Sequence, residues 1–228
     1  TDSMDKTGEF ISENYPTESD LDELSRTDYK TVRDAFLKVK AIKEQLPPAY
    51  SAKKIDGKKA YELARKGELP DLKPALVTIY SLDITNIEVP EKGLAVDFDC
   101  LCSKGTYIRT ICSDLGDITG YGAYAESLRR TINGQFSVKD AFTPDELQKM
   151  VEAGDFSFVR DASETITFLP EIKLDAKQTK DIKFGRKIAF PFDVKTEGDE
   201  RIYYRATSED KLIAFVLKKK KKGELVMR

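Results

Sequence analysis

Histidine is absent from the 228-residue sequence. Its absence removes the Ser–His and Cys–His pairs through which most hydroxyl and thiol nucleophiles are activated. Cysteine is scarce: Cys100, Cys102 and Cys112 are too few and too unevenly spaced for a disulfide framework, and no Cys-x-x-Cys occurs. A zinc site therefore has no ligand set, and the three thiols are expected in the core. No apolar run approaches membrane-spanning length. The first residues are polar and acidic and lack the basic and apolar regions of a signal peptide, so the cytoplasm is the expected compartment. Internal repeats are absent, and the lysine run 218–222 is the one low-complexity stretch.

What is present supports a folded chain. Hydrophobic residues make up 40% and charged residues 34%, enough to bury a core and keep a polar surface. The length suits one large domain with a small second one. The formal net charge of −2 hides a strong asymmetry. Residues 1–28 carry nine acids against two bases, residues 38–66 nine bases against three acids, and residues 211–228 seven bases against one acid. Basic segments set apart from an acidic lobe can form a phosphate-binding face that the summed charge conceals.

The pattern predicts a mixed α+β chain. A tight turn at 1–8 leads into a short strand at 9–11. Thr17 with Asp20 signals a helix start, and Leu21, Leu24, Val32, Phe36 and Val39 follow as an imperfect helical stripe. Pro47-Pro48 stops the helix, a basic hairpin with Asp56-Gly57 at its tip spans 53–59, and a short helix over 60–66 is closed by Gly67. Residues 76–87 read as a strand, and 94–102 alternate as a half-buried one. Helical spacing then runs from Thr106 through Ile118 to Gly120, and Thr143-Pro144-Asp145-Glu146 is a strong helix start. After Leu169-Pro170 a helix ending at Gly185 and short strands at 187–190, 201–206 and 211–217 suggest a small β-rich module.

The chemistry concentrates at 102–130. The spacing puts Tyr107 and Arg109 in the first turn of a helix, and a second glycine turn at Gly120-Tyr121-Gly122 delivers Leu128, Arg129 and Arg130. An aromatic ring, a guanidinium, an aliphatic side chain and further positive charge at one end of a sheet suit an unstacked base held beside an anion. Taken singly, each has a plainer reading: Arg109 as a solvated or structural cation, Tyr107 and Leu128 as core. Asp97 and Asp99 share one strand face but lack a third ligand, and read as solvent-facing.

Three blocks carry a resemblance. Gln45-x-Pro-Pro-x-Tyr-Ser-Ala-x-Lys-x-x-Gly-Lys-x-x-Tyr-Glu-x-Ala-Arg65, Lys104-Gly-Thr-Tyr-Ile-Arg-Thr-x-x-x-Asp-Leu-Gly116 and Gly120-x-Gly-Ala-x-x-x-x-Leu-Arg-Arg130 resemble, in order and spacing, the bacterial TruB-type tRNA pseudouridine synthases. Leu169-Pro-Glu-Ile and Ile182-x-x-Gly185 resemble, more weakly, the lead-in to that family's PUA-like domain. The resemblance implies isomerisation of the tRNA T-loop uridine (position 55) without metal or cofactor, by flipping the base out of its stack and using an aspartate as nucleophile. It implies that Arg109 pairs with that aspartate, that Tyr107 forms the pocket wall, and that Leu128 lines the pocket. Lys53, Lys54, Lys58, Lys59, Arg129 and Arg130 would face RNA, while Lys219 and Lys220 of the run 218–222 read either as part of a solvated face or as a grip on phosphate in the PUA-like module. The partner is then the T-arm stem-loop of tRNA, bound by a monomer.

One departure shapes the expectations. The family's Gly-x-x-Asp-Pro segment does not occur, and Asp2 and Asp5 align with a turn that follows it. The nucleophile is accordingly expected upstream of this chain, which would be inactive alone. The expected fold is an incomplete catalytic domain over 1–167, a largely antiparallel sheet with flanking helices, then a PUA-like β-barrel over 168–228. The alternative is an inert RNA-binding or tRNA-folding module using the same surface.

Overall fold

In the computed structural model, which describes residues 1–55, 57–68, 70–189, 203–218 and 224–227, the first nine residues form an irregular loop without the expected strand at 9–11. Helix α1 (Glu18–Arg26) begins at Thr17: its hydroxyl accepts from the Asp20 N–H while the Asp20 carboxylate accepts from the Thr17 N–H. The helical stripe is imperfect because it spans two helices. Asp28 and Tyr29 adopt left-handed backbone angles, φ 49° and 54°, and α2 (Lys30–Lys40) starts afresh beyond them. Val32, Ala35, Phe36 and Val39 form its buried face.

Strands β1 (Glu44–Gln45), β2 (Lys54–Ile55) and β3 (Lys58–Lys59), helix α3 (Ala60–Ala64) and strand β4 (Ala75–Leu76) follow. β1 pairs with β4, and β2 with β3 in the basic hairpin. The main antiparallel pair is β5 (Ile79–Glu88) with β6 (Ala95–Cys102). Along β6, Val96, Phe98 and Cys100 turn to the core and Ala95, Asp97, Asp99 and Leu101 to solvent, the alternation that its sequence predicts. Helix α4 (Ile108–Thr119) packs its Ile111 and Leu115 with α2 and with Ile79 and Leu82 of β5. Phe36 meets Phe98 edge to face at 5.4 Å. Each fully buried Ile, Leu or Phe contributes about 1.5–3 kcal/mol, so this cluster anchors α4 and the residues at its start.

A close approach fixes the far end of α4. A Cβ at Gly116 would lie 2.2 Å from the Ala123 nitrogen, so only glycine lets the loop after the helix fold back over it. The N–H groups of Gly120 and Gly122 both bond the Gly116 carbonyl there. These elements make up one compact unit, Thr1–Arg129.

The second unit, Arg130–Arg228, opens with a hairpin of β7 (Ile132–Asn133) and β8 (Phe136–Ser137). Helix α5 (Pro144–Glu152) follows with the expected Thr143–Glu146 capping box, then α6 (Ala162–Thr165), β9 (Glu171–Lys173) and α7 (Ala176–Lys183). Strands β10 (Ile188–Ala189), β11 (Tyr203–Ser208), β12 (Lys211–Lys218) and β13 (Glu224–Met227) complete one sheet in the order β10-β13-β12-β11-β9. Its core holds Ile172, Ile182, Tyr204, Ala206 and Val216. The expected PUA-like barrel is corrected by this sheet, which is open among the described residues. Closure needs the edge strands to meet in a staggered ladder, and here the edges are the two-residue β10 and the three-residue β9, which do not pair. Turn density revealed the strands but carries no information on closure.

Candidate functional site

The site is built where α4 begins. Tyr107 precedes the helix as its N-cap, in an extended conformation (φ −101°, ψ 112°), rather than lying in the first turn. Its backbone is held by the buried amide of Gln45: the Tyr107 N–H donates to Gln45 Oε1 at 2.7 Å, and Gln45 Nε2 donates to the Tyr107 carbonyl at 3.1 Å.

Arg109 is the second residue of α4 and points at the loop formed by the first residues of the chain. Its Nη1 donates to the Ser3 carbonyl and to Asp5 Oδ2, both at 3.1 Å, and its Nη2 donates to the Tyr50 carbonyl at 2.8 Å. About a quarter of each partner of the Asp5–Arg109 pair is exposed, so the pair is half-sheltered but reachable. A guanidinium has five N–H donors. Those on Nε and one on Nη2 have no protein acceptor among the described residues.

Asp5 is as firmly held as Arg109. Its Oδ1 accepts from the Thr7 N–H at 3.0 Å, the Thr7 hydroxyl at 2.5 Å and the Ser3 hydroxyl at 2.9 Å. The Thr7 hydroxyl chiefly, with Ser3, the Thr7 N–H and Arg109 behind it and burial opposing, lowers its pKa to about 2. Asp2 accepts from the Glu9 N–H at 2.9 Å and from the Tyr50 hydroxyl at 3.3 Å, and its charge raises the Tyr50 pKa. Gly8 suits this loop, because a Cβ there would lie 2.8 Å from the Ser3 backbone nitrogen as well as 2.3 Å from Asp2 Oδ1 and Ser3 Oγ. The loop is pinned to the residues after α4: the Ala125 N–H donates to the Met4 carbonyl at 3.0 Å and the Lys6 N–H to the Ala125 carbonyl at 3.2 Å. The first two sequence blocks thus meet the first loop around one guanidinium, and the third block holds that loop through Ala125.

The remaining predicted residues distribute unevenly. Leu128 is 63% exposed and Arg129 beside it is exposed. Arg130 is exposed and falls in the other compact unit. Lys54 and Lys58 are exposed on the hairpin, whereas Lys53 Nζ donates to the Lys73 carbonyl and Lys59 packs its ammonium 5.4 Å from the Tyr61 ring. Lys219 and Lys220 lie outside the described residues. Burial raises the Cys100 pKa to about 12 and that of Cys112 to about 11, which leaves both thiols inert. Among the described residues no group of three acids or thiols could hold a metal, and no helix is long and apolar enough to cross a membrane. Sequence reasoning set Asp5 aside as part of a turn and gave Gln45 and Tyr50 no role in the site. The position of Gln45 at the head of the first block was the one available signal.

Comparison with known proteins places these features. Residues 1–108 match the N-terminal domain of the TruB family of pseudouridylate synthases, and residues 109–162 match the C-terminal domain of tRNA pseudouridylate synthase B. The chain is similar to tRNA pseudouridine synthase B of Streptococcus mutans, 41% identical over 145 residues, covering 63% of this chain and 50% of that protein. It is also similar to that of Streptococcus pneumoniae serotype 4, 34% identical over 220 residues, covering 96% of this chain and 70% of that protein. The chain thus spans between half and about 70% of the length of these curated relatives. Among solved structures it resembles a chain of a Cbf5-Nop10-Gar1 complex (TM-score 0.60, 19% identity, 82% of this chain and 54% of that one). It also resembles a chain of an H/ACA RNP bound to a substrate RNA containing 2′-deoxyuridine (TM-score 0.52, 22% identity, 63% and 48%). At those identities the likeness concerns fold alone.

These matches correct three expectations. Residues 1–108 match the N-terminal domain of the family, so that domain is not a part that the chain lacks. The upstream location expected for the nucleophile is likewise overturned, since the family's catalytic domains are matched within this chain; the acid that Arg109 meets here is Asp5 of the first loop. Inactivity of the chain, and the inert binding module offered as its alternative, rested on the missing domain and fall with it. The Gly-x-x-Asp-Pro pattern is one short segment, whereas the match to the domain is spread along 108 residues.

Proposed function

We propose, given that the chain belongs to the TruB family of pseudouridylate synthases, that its Arg109 site serves the conversion of uridine to pseudouridine in the T arm of tRNA. The bond from C1′ to N1 of the base breaks, the ring turns, C5 joins C1′, the C5 proton leaves and N1 takes up a proton, so the product is an isomer and nothing is oxidised or reduced. Such a reaction needs a base withdrawn from its stack, at a cost of a few kcal/mol, and fixed charges that need no reorganisation as it proceeds.

The observation that carries this reading is Arg109, held by Asp5 and two carbonyls, with two donors that meet no acceptor among the described residues. A cation locked in this way can orient an anionic group without moving. The firm grip on Asp5 and its lowered pKa suit that carboxylate to hold the guanidinium. Exposed Leu128 offers an apolar surface to the extruded base, and Lys54, Lys58 and Arg129 offer charge to the phosphate backbone.

The test is release of tritium from T-arm RNA labelled at C5 of uridine, with the product nucleoside identified by chromatography. Stoichiometric release with pseudouridine formed supports the reading. RNA binding without tritium release overturns it.

A further inference from the structure

Gln45 does something that no ordinary strand residue does. β1 is only two residues long, yet its Gln45 is 5% exposed and bonds with both ends of its amide to the backbone of one residue 62 positions away. The N–H of an N-cap residue has no partner inside its helix. At Tyr107 the carboxamide oxygen of Gln45 supplies that partner at 2.7 Å, and the amide nitrogen returns a bond to the Tyr107 carbonyl at 3.1 Å. The amide therefore acts as a one-residue strand neighbour. Tyr107 makes no side-chain cap of its own, so the start of α4 depends on this clamp.

The clamp also sets a second distance. Five residues beyond Gln45 the same segment presents the Tyr50 carbonyl, which accepts from Arg109 Nη2 at 2.8 Å. The segment from Gln45 to Tyr50 is thus attached to α4 at two points, once through the Tyr107 backbone and once through Arg109. We infer that Gln45 is a positioning residue: its amide fixes the start of α4 against the Tyr50 loop and so sets where the Arg109 guanidinium stands. This rests on the reading of the Arg109 site as the one that forms pseudouridine. It adds a residue that touches neither RNA nor the reacting atoms.

The test compares Gln45→Met, which keeps length and volume but makes no hydrogen bond, with Gln45→Glu, which keeps the acceptor for the Tyr107 N–H. Two measurements are made on each. Amide exchange of Tyr107, followed by nuclear magnetic resonance on nitrogen-labelled protein, reads the clamp without reference to activity. It is expected to quicken at least about tenfold in Gln45→Met and less in Gln45→Glu, because the bond at stake is worth roughly a factor of ten. Pseudouridine formation on T-arm RNA reads the consequence. kcat should fall about 10- to 100-fold in Gln45→Met with KM within about threefold, as expected when a group is misplaced but binding is intact. Gln45→Glu should lie between the two.

Unchanged Tyr107 exchange in Gln45→Met overturns the clamp. Faster exchange with kcat unchanged, or a loss confined to KM, overturns the positioning role. If the unsubstituted protein forms no pseudouridine, the proposed function fails and the exchange data still decide on the clamp. Should Gln45→Met not fold, Gln45→Glu carries both measurements.

Discussion

Replacing Asp5 by Asn removes one negative charge and little else, which makes it a sharp probe of the site. The carboxylate pKa falls from the ordinary 3.8 to about 2 through the Thr7 hydroxyl chiefly, aided by Ser3, the Thr7 N–H and Arg109. At ~1.4 kcal/mol per pH unit the depression corresponds to about 2.4 kcal/mol of preference for the charged form. A quarter of the side chain is exposed. Solvent screening reduces the contribution to ~1–2 kcal/mol. The sign follows from the direction of the shift. A depressed carboxylate stabilises the folded state above its unfolded pKa, and that stability disappears as pH falls from 3.8 through about 2. Urea unfolding followed by circular dichroism should therefore show Asp5→Asn less stable by ~1–2 kcal/mol at neutral pH, with a melting temperature lower by roughly 2–8 °C. The gap should hold down to about pH 5 and close between 3.8 and 2, where the native carboxylate is itself protonated. A gap below about 0.3 kcal/mol at neutral pH, or one that persists undiminished at pH 2, would refute the picture of an ionised Asp5 locked to Arg109.

Three other outcomes follow from the same geometry. Phe36→Ala, which empties a buried site between α2 and β6, should cost ~3–5 kcal/mol in the same unfolding assay. Gly116→Ala places a methyl group 2.2 Å from the Ala123 nitrogen, so the loop after α4 must shift. Its thermal stability should fall by at least about 1–3 kcal/mol, and amide exchange should quicken at Gly120 and Gly122, which bond the Gly116 carbonyl. Replacing exposed Lys54 and Lys58 with glutamine should weaken T-arm RNA binding and flatten its salt dependence by up to about two in the log–log slope. An unchanged slope would show that the hairpin does not touch phosphate.

Much of the first unit was legible because single features decide it. Ile108, Ile111, Cys112, Leu115 and Ile118 at helical spacing, with a glycine after them, define α4 to within two residues. The alternation from 95 to 102 defines β6 and its inward face. What was illegible depends on partners distant in sequence or on backbone atoms. The left-handed pair Asp28-Tyr29 splits one apparent helical stripe into two; aspartate tolerates that conformation better than most residues, but nothing about Tyr29 advertises it. Barrel closure is a relation between strand edges, not a property of any strand. The site shows the same division. The block around Arg109 was readable as an anion-holding motif, but its partners are Asp5, 104 residues away, and the carbonyls of Ser3 and Tyr50, which no side-chain pattern can encode. The Gln45 clamp lay unseen because it too binds backbone.

The most direct measurement is the single-turnover rate of pseudouridine formation on T-arm RNA at saturating protein, for Arg109→Lys beside the unsubstituted protein. Lysine keeps the charge but cannot reach Asp5, Ser3 and Tyr50 together. The account predicts a rate lower by about 100-fold with RNA affinity within about threefold. An unchanged saturating rate with affinity lost in proportion would contradict it, and would make Arg109 a holder of RNA alone.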